Sequence, residues 1–331
     1  MLANQFAHRD GLLRVHMIGH GAETPKSDAF LLEYNGVYIM IDGGKNDCDA
    51  TLEYLMSLRR ALLSGRETLW NDPSCRLKLS VIVSHCHKDH VGALYRSVFP
   101  SPFVELDTLY MPPACGLDSS YGRHGDDKYR PHLKKALASA QPQAKVVDLM
   151  FGAENRIVLP MCRDDDLTPV ITICPPWINS ASPERIALLL ERSGNEDGSE
   201  ISMATAVMNN NSSWVHVRHG ERTFLFTGDT VKKTLPMGYE MVDEMIDQYR
   251  DVLGEQVDVL KYVHHGYKRD GAAAVMMSLS PRYVVLTTPL ATAGEAIRER
   301  FPDNPVRIVN CGTETYVFTC DGENLTVKPE I

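Results

Sequence analysis

The sequence predicts an α/β chain of the α+β kind, built as a four-layer αββα sandwich: two mixed β-sheets packed face to face, with helices outside. Three observations predict it. Short apolar runs bounded by Gly, Pro or Asp recur through both halves of the chain. Asn35-Gly36 sits between two of these runs and marks a tight hairpin. Stretches with apolar residues at helical spacing fall between the strands, which calls for helices on the outer faces of packed sheets.

In chain order, strands are predicted at Leu12–Ile18, Ala29–Tyr34, Val37–Ile41, Leu79–Ser84 and Asp107–Met111. Leu52, Leu55, Leu58 and Leu62 lie three or four apart and would form the buried face of a helix. The second half repeats the style. Strands are predicted at Val170–Ile173, Ser202–Met208, Trp214–Arg218, Thr223–Phe226, Val257–Lys261, Tyr283–Leu286, Val306–Val309 and Tyr316–Thr319. Helices are expected over Glu184–Arg192, Tyr239–Leu253, Ala272–Ser278 and Gly294–Phe301. No repeat or long linker divides the chain, so residues 1–331 are read as a single domain. The stretches 112–145 and 176–200, rich in Gly, Pro, Asp and Lys, read as insertions.

Composition narrows the function. The 331 residues are 44% hydrophobic, enough for a sizeable core, and the formal charge of −9 argues against broad adhesion to nucleic acid or anionic membrane. No apolar run reaches the ~18 residues that a membrane span needs. Nor does the start of the chain show a charged-then-apolar leader, so a cytoplasmic, non-membrane protein is expected. Eight cysteines are scattered without a Cys-x-x-Cys pair and read as buried thiols.

The chemistry concentrates in Val81-Ile82-Val83-Ser84-His85-Cys86-His87-Lys88-Asp89-His90. An apolar strand ends there in three histidines and an aspartate. Residues two apart at a strand end point to one side, so His85 and His87 can face one point, while Cys86 points away into packing. Asp89 and His90, at the turn into a helix, can face a second point nearby. Imidazole and carboxylate are the ligands of zinc and other first-row metals.

His85-x-His87-x-Asp89-His90 resembles the signature of the metallo-β-lactamase-fold hydrolase superfamily, and the other signposts follow in order. Ile39–Gly44 is similar to the strand ending in an aspartate, here Asp42, that orients a metal-binding histidine. Phe224–Asp229 is similar to the strand that delivers a bridging carboxylate, and Leu260–Gly266 to the strand that delivers the last histidine. A narrower likeness, to the hydrolase domain of the bacterial competence DNA-uptake channel protein and its soluble relatives, rests on four features. These are Asn210–Val215, the His264-His265-Gly266 triplet, Thr313 with Asp321-Gly322, and the opening Gly19-His20-Gly21 followed by Asp28.

The resemblance implies two divalent metal ions, zinc first and manganese or iron as alternatives. His85 and His87 would hold the first and Asp89 and His90 the second, with Asp229 bridging. His265 is favoured over His264 for the second ion; His264 is expected to face the other way and meet substrate. Asp89 and His264 are the candidate catalytic side chains. The sequence departs from the family in one place, offering no further histidine to the first metal from the loop before Asp229. Asn210 and Ser213 occupy roughly that place and are expected to line the pocket, with Lys268 at its mouth. His16, His20, His124, His132, His216 and His219 are read as structural or surface histidines, and Trp214 as core.

The implied activity is hydrolysis of an ester bond by a metal-bound hydroxide. A phosphodiester is the favoured substrate class, as a small anionic molecule or single-stranded nucleic acid. Carboxylic ester, lactone, thioester and phosphocholine ester are the alternatives. A non-catalytic metal-binding partner module is the competing reading of another class. Di-iron redox chemistry is disfavoured, because those relatives carry Glu where this chain has His87.

Overall fold

The computed structural model describes residues 9–21, 26–45, 49–114, 129–162, 167–176, 208–230, 241–266, 277–288, 292–300, 302 and 306–330. The strands of one sheet are β1 (Leu13–Met17), β2 (Phe30–Tyr34), β3 (Val37–Ile41), β4 (Leu77–Ile82), β5 (Val104–Met111), β6 (Lys145–Asp148), β14 (Tyr316–Cys320) and β15 (Leu325–Pro329). The other sheet holds β7 (Ile157–Pro160), β8 (Val170–Cys174), β9 (Trp214–His219), β10 (Arg222–Phe226), β11 (Val259–Lys261), β12 (Tyr283–Leu286) and β13 (Arg307–Asn310). Spatial order is β15-β14-β1-β2-β3-β4-β5-β6 in the first and β13-β12-β11-β10-β9-β8-β7 in the second. Both sheets are mixed: β3 to β6 run parallel, as do β10 to β13, and the other pairings are antiparallel.

Strand alternation builds the layers. In β1, Leu13, Val15 and Met17 face the second sheet and meet Val215, Val217, Phe224 and Phe226 in the central core. In β3, Ile39 and Ile41 join that core, while Tyr38 and Met40 point outward. The outward residues pack under helix α1 (Ala50–Leu62), the short α2 (Lys88–Ala93) and α3 (Arg130–Ala140). On the far side, Trp214, Leu225, Leu260 and Val284 are covered by Val242, Met245 and Ile246 of α4 (Met241–Gln248). The four layers expected from the sequence are therefore present.

The expected hairpin is present, and several other elements differ from the expected ones. Asn35 and Gly36 both take positive φ (46° and 84°), the turn that the Asn-Gly pair requires. Met208 opens a short helical turn rather than closing a strand, and 202–207 lie outside the described residues. Within 112–145, α3 buries Leu133 and Leu137 against the first sheet, and β6 extends that sheet from Lys145. That part of the stretch is built into the layers. The expected helix over 184–192 lies outside the described residues. No described helix is long and apolar enough to cross a membrane.

Candidate metal centre

Parallel strands β3, β4, β10, β11 and β12 release their chains at one edge, where the site forms. After β4, the backbone N–H and hydroxyl of Ser84 donate to the two oxygens of Asp42 at 2.8 and 2.6 Å. Asp42 follows β3 with φ +54°, a left-handed conformation that Asp tolerates better than most residues. Its Oδ2 also accepts from His90 Nδ1 at 2.8 Å. His87 caps α2, so Asp89 and His90 fall in the helix's first turn and point back to the strand end.

Asp229 leaves β10 through a tight turn. Gly228 has φ +54°, and a Cβ there would lie 2.7 Å from Ser212 Oγ, so the turn needs glycine. The Asp229 N–H donates to that same Ser212 hydroxyl at 3.0 Å. Beyond β11, His264 and His265 take φ of 44° and 60°. These conformations cost roughly 1–2 kcal/mol each in a non-glycine residue, and they break the strand's alternation.

The six predicted side chains meet. His85 Nε2 lies 3.1 Å from His87 Nδ1 and 3.8 Å from Asp229 Oδ2. On the other oxygen of Asp229, His90 Nε2 stands at 3.2 Å from Oδ1. His265 Nε2 lies 3.2 Å from Asp229 Oδ2 and 3.5 Å from Asp89 Oδ2. His264 corrects one expectation: it does not face away, since its Nε2 stands 3.8 Å from Asp229 Oδ2 while its ring stays partly exposed at the rim. The left-handed pair of residues turns both rings to one side. Ser213 is buried and its N–H donates to Ser84 O at 2.9 Å, and Asn210 is buried beside it. Lys268 and His124 lie outside the described residues.

Three side chains with no assigned role in the sequence reading complete the surroundings. Asp28, just before β2, accepts from His265 Nδ1 at 2.9 Å, as does Thr287 Oγ1 at 2.9 Å. Lys261, at the end of β11 and fully buried, pairs with Asp28 Oδ2 and donates to Gly228 O at 2.7 Å. Lys26, one-third exposed, places its Nζ 3.1 Å from Asp89 Oδ2. The sequence signal for Lys261 was a charge inside an apolar strand. For Asp28 there was only the opening turn.

The donors fit a cation. His90 Nε2, His265 Nε2 and both oxygens of Asp229 are buried without a hydrogen-bond partner, a costly state unless something satisfies them. Donors about 2.0–2.2 Å from a tetrahedral ion stand roughly 3.3–3.6 Å from one another, and the separations here run from 3.1 to 3.8 Å. Two groups of donors arise around the shared Asp229, one with His85 and His87, the other with Asp28, His90 and His265. Within the second group, Asp28 has both its oxygens engaged, by His265 Nδ1 and by Lys261, on the far side of the imidazole from Asp229. It orients rather than faces the cluster.

Electrostatics agree. Burial alone would push the histidines toward neutrality, and it does so for His85 and for His87, which falls to about 4. For His90 burial is overridden by Asp229 and Asp42, which raise it to about 10; Asp229 and Asp28 likewise raise His265. Burial also opposes the charge of Asp229, yet His265, His90 and His264 hold its carboxyl well below the ordinary value. The second group therefore attracts positive charge strongly.

Three other described histidines have structural partners. His16 bonds Tyr54 and Glu33, His20 bonds Thr51, and His132 packs beside Tyr95. Cys86 is buried in the outer core, and Trp214 is buried with its indole N–H on Thr230 Oγ1 at 2.9 Å.

Residues 24–287 match the sequence profile of the metallo-beta-lactamase superfamily. The chain is similar to the metallo-beta-lactamase fold protein YhfI of Bacillus subtilis, at 14% identity and TM-score 0.47, over 93% of this chain and 100% of that one. It is also similar to the short form of human tRNase Z, at 14% identity and TM-score 0.41, over 83% of this chain and 92% of that one. Identities this low carry nothing about substrate. No curated protein matches the sequence.

Proposed function

Because the chain belongs to the metallo-beta-lactamase superfamily, we propose that it is a metal-dependent hydrolase of ester bonds, with a phosphodiester as its substrate class. One observation carries the reading. Buried, unsatisfied nitrogens of His90 and His265 and both oxygens of Asp229 converge on one small volume beside His85, His87 and Asp89.

His85, His87 and Asp229 would hold one divalent ion; Asp89, His90, Asp229 and His265 would hold a second, with zinc the favoured metal. Such ions, when bound, lower the pKa of water toward neutrality and stabilise negative charge on the attacked group. The chain's own residues supply the rest. Asp42 fixes the direction of His90, and Asp28 with Thr287 fixes that of His265. His264, at the rim near Asp229, is placed to hold or pass a proton to a leaving group.

Lys26, one-third exposed, puts an ammonium 3.1 Å from Asp89 Oδ2, and a cation beside the cluster suits an anionic substrate and favours the phosphodiester over a neutral ester. The short motifs that resemble the competence-protein hydrolase domain favour the same class, a small anionic substrate or single-stranded nucleic acid.

Elemental analysis of the untreated protein should find a divalent first-row metal. Protein loaded with that metal should cleave bis-aryl phosphates, cyclic nucleotides or single-stranded DNA faster than carboxylic esters, lactones or thioesters. His87→Ala should lose metal and turnover together. Turnover that survives His87→Ala, or a loaded protein inert to every phosphodiester, overturns the reading.

A further inference from the structure

Lys261 is an unusual residue to find where it is. It ends β11 between Leu260 and Tyr262, its side chain is fully buried, and its ammonium touches no solvent. Burying an ammonium costs several kcal/mol unless partners satisfy it. Here they do: Nζ pairs with Asp28 Oδ2, donates to Gly228 O at 2.7 Å, and stands 3.6 Å from Asp229 Oδ1. Those three contacts reach both sheets, because Asp28 precedes β2 while Gly228 and Asp229 follow β10.

We infer that Lys261 and Asp28 form a neutral buried pair whose work is positioning: Lys261 holds the Asp229 turn and the Asp28 carboxylate, and Asp28 in turn aims His265 at the cluster. The inference rests on the proposed metal site and assigns it two residues that make no direct contact with the bound ion.

Two effects of Lys261 oppose each other, and the pairing decides between them. A lone ammonium 3.6 Å from Asp229 would repel a cation arriving there. Paired with Asp28, its charge is cancelled at close range, and what remains is a rigid strut. The Gly228 carbonyl and the Asp229 carboxylate belong to consecutive residues, so one ammonium fixes the height and the rotation of that turn together. On the other side, Asp28 Oδ1 receives His265 Nδ1 at 2.9 Å, which leaves Nε2 facing Asp89 and Asp229. His265 comes from a left-handed backbone step at φ +60°, so the side chain cannot rely on strand geometry for its aim. Asp28 supplies that aim from the opposite sheet, and Thr287 Oγ1 accepts from the same nitrogen at 2.9 Å.

Charge and position separate cleanly in the double variant Lys261→Met/Asp28→Ala, which leaves net charge unchanged and removes both partners. Its zinc affinity, measured by competition with a chromophoric chelator on the stripped protein, should fall tenfold or more at the position shared by His90 and His265. The metal-free melting temperature should stay close to that of the wild type, since a buried pair contributes little net stability when both members leave together. In the loaded protein kcat should fall while KM holds. Should that variant fail to fold, Lys261→Met/Asp28→Leu fills the volume at position 28 without offering His265 an acceptor, and carries the same expectation. Wild-type zinc affinity in either double variant overturns the inference alone. A wild-type protein that binds no zinc or other divalent ion overturns the proposed function instead.

Discussion

Nδ1 of His90 donates to Oδ2 of Asp42 at 2.8 Å, although 48 residues separate the two in the chain. The bond leaves Nε2 as the one nitrogen of His90 that can face Asp229. Asp42 also receives the N–H and hydroxyl of Ser84, so a single carboxylate at the end of β3 sets the start of the whole His85–His90 turn.

Asp42→Asn should therefore fold and yet bind zinc about 10–100-fold more weakly. Asn accepts the left-handed backbone that Asp42 occupies, at φ +54°, but offers one acceptor oxygen where the carboxylate offers two. Asp42→Val should do worse. A β-branched side chain in that conformation costs about 1–3 kcal/mol, and the orphaned Ser84 N–H costs about 1–3 kcal/mol more. Urea denaturation of the metal-free proteins and chelator competition measure the two effects separately. An Asn variant with wild-type affinity would remove Asp42 from the site.

How much of this was legible in the sequence depends on how local the signal is. His85, His87, Asp89 and His90 stand together, and strand alternation with a following helix is enough to aim them at one place. Asp229 and His265 carry no local signal of that kind, and motif likeness alone pointed to them. Asp28 and His265 touch across 237 residues of sequence, and no pattern along the chain brings them together. Alternation also misled at His264, because two successive left-handed residues suspend the period-two rule. Among strands, β6, β7 and β15 carry no clear signal in the sequence. Each is a short edge strand with half-exposed or exposed residues, and Lys328 and Pro329 in β15 are edge-protecting rather than strand-forming types.

Removal of bound metal should destabilise the fold. Without a cation, Asp229, His90 and His265 keep buried groups unsatisfied. Saturation at about a thousand times Kd stabilises by about 4 kcal/mol, which in a chain of this size shifts the melting temperature by roughly 5–10 °C. Chelator-treated protein should melt that much earlier than the reloaded protein. Reloading should also release protons, because His90 and His265 sit above their ordinary pKa in the field of the aspartates and must be neutral to bind metal. A dye-monitored titration at low buffer reads that release. Equal melting temperatures with and without chelator would mean that no ion completes the site.

Acid should weaken the protein through a histidine outside this cluster. His216, in the middle of β9, is buried among Thr172 of β8 and Leu225 of β10, and its Nε2 has no hydrogen-bond partner. Burial, with Arg218 adding to it, lowers its pKa from 6.5 to about 4. Between those values the unfolded chain takes up a proton that the folded chain refuses, so stability present above pH 6.5 is lost progressively as pH falls toward 4. At pH 5 the loss from this one group is about 2 kcal/mol. In His216→Gln the group that titrates is gone. Metal-free wild type, unfolded in urea at pH 7 and at pH 5, should lose about 2 kcal/mol more than the variant over the same step. The same loss in both proteins would mean that His216 is protonated inside the sheet, with a counter-charge or water admitted to meet it.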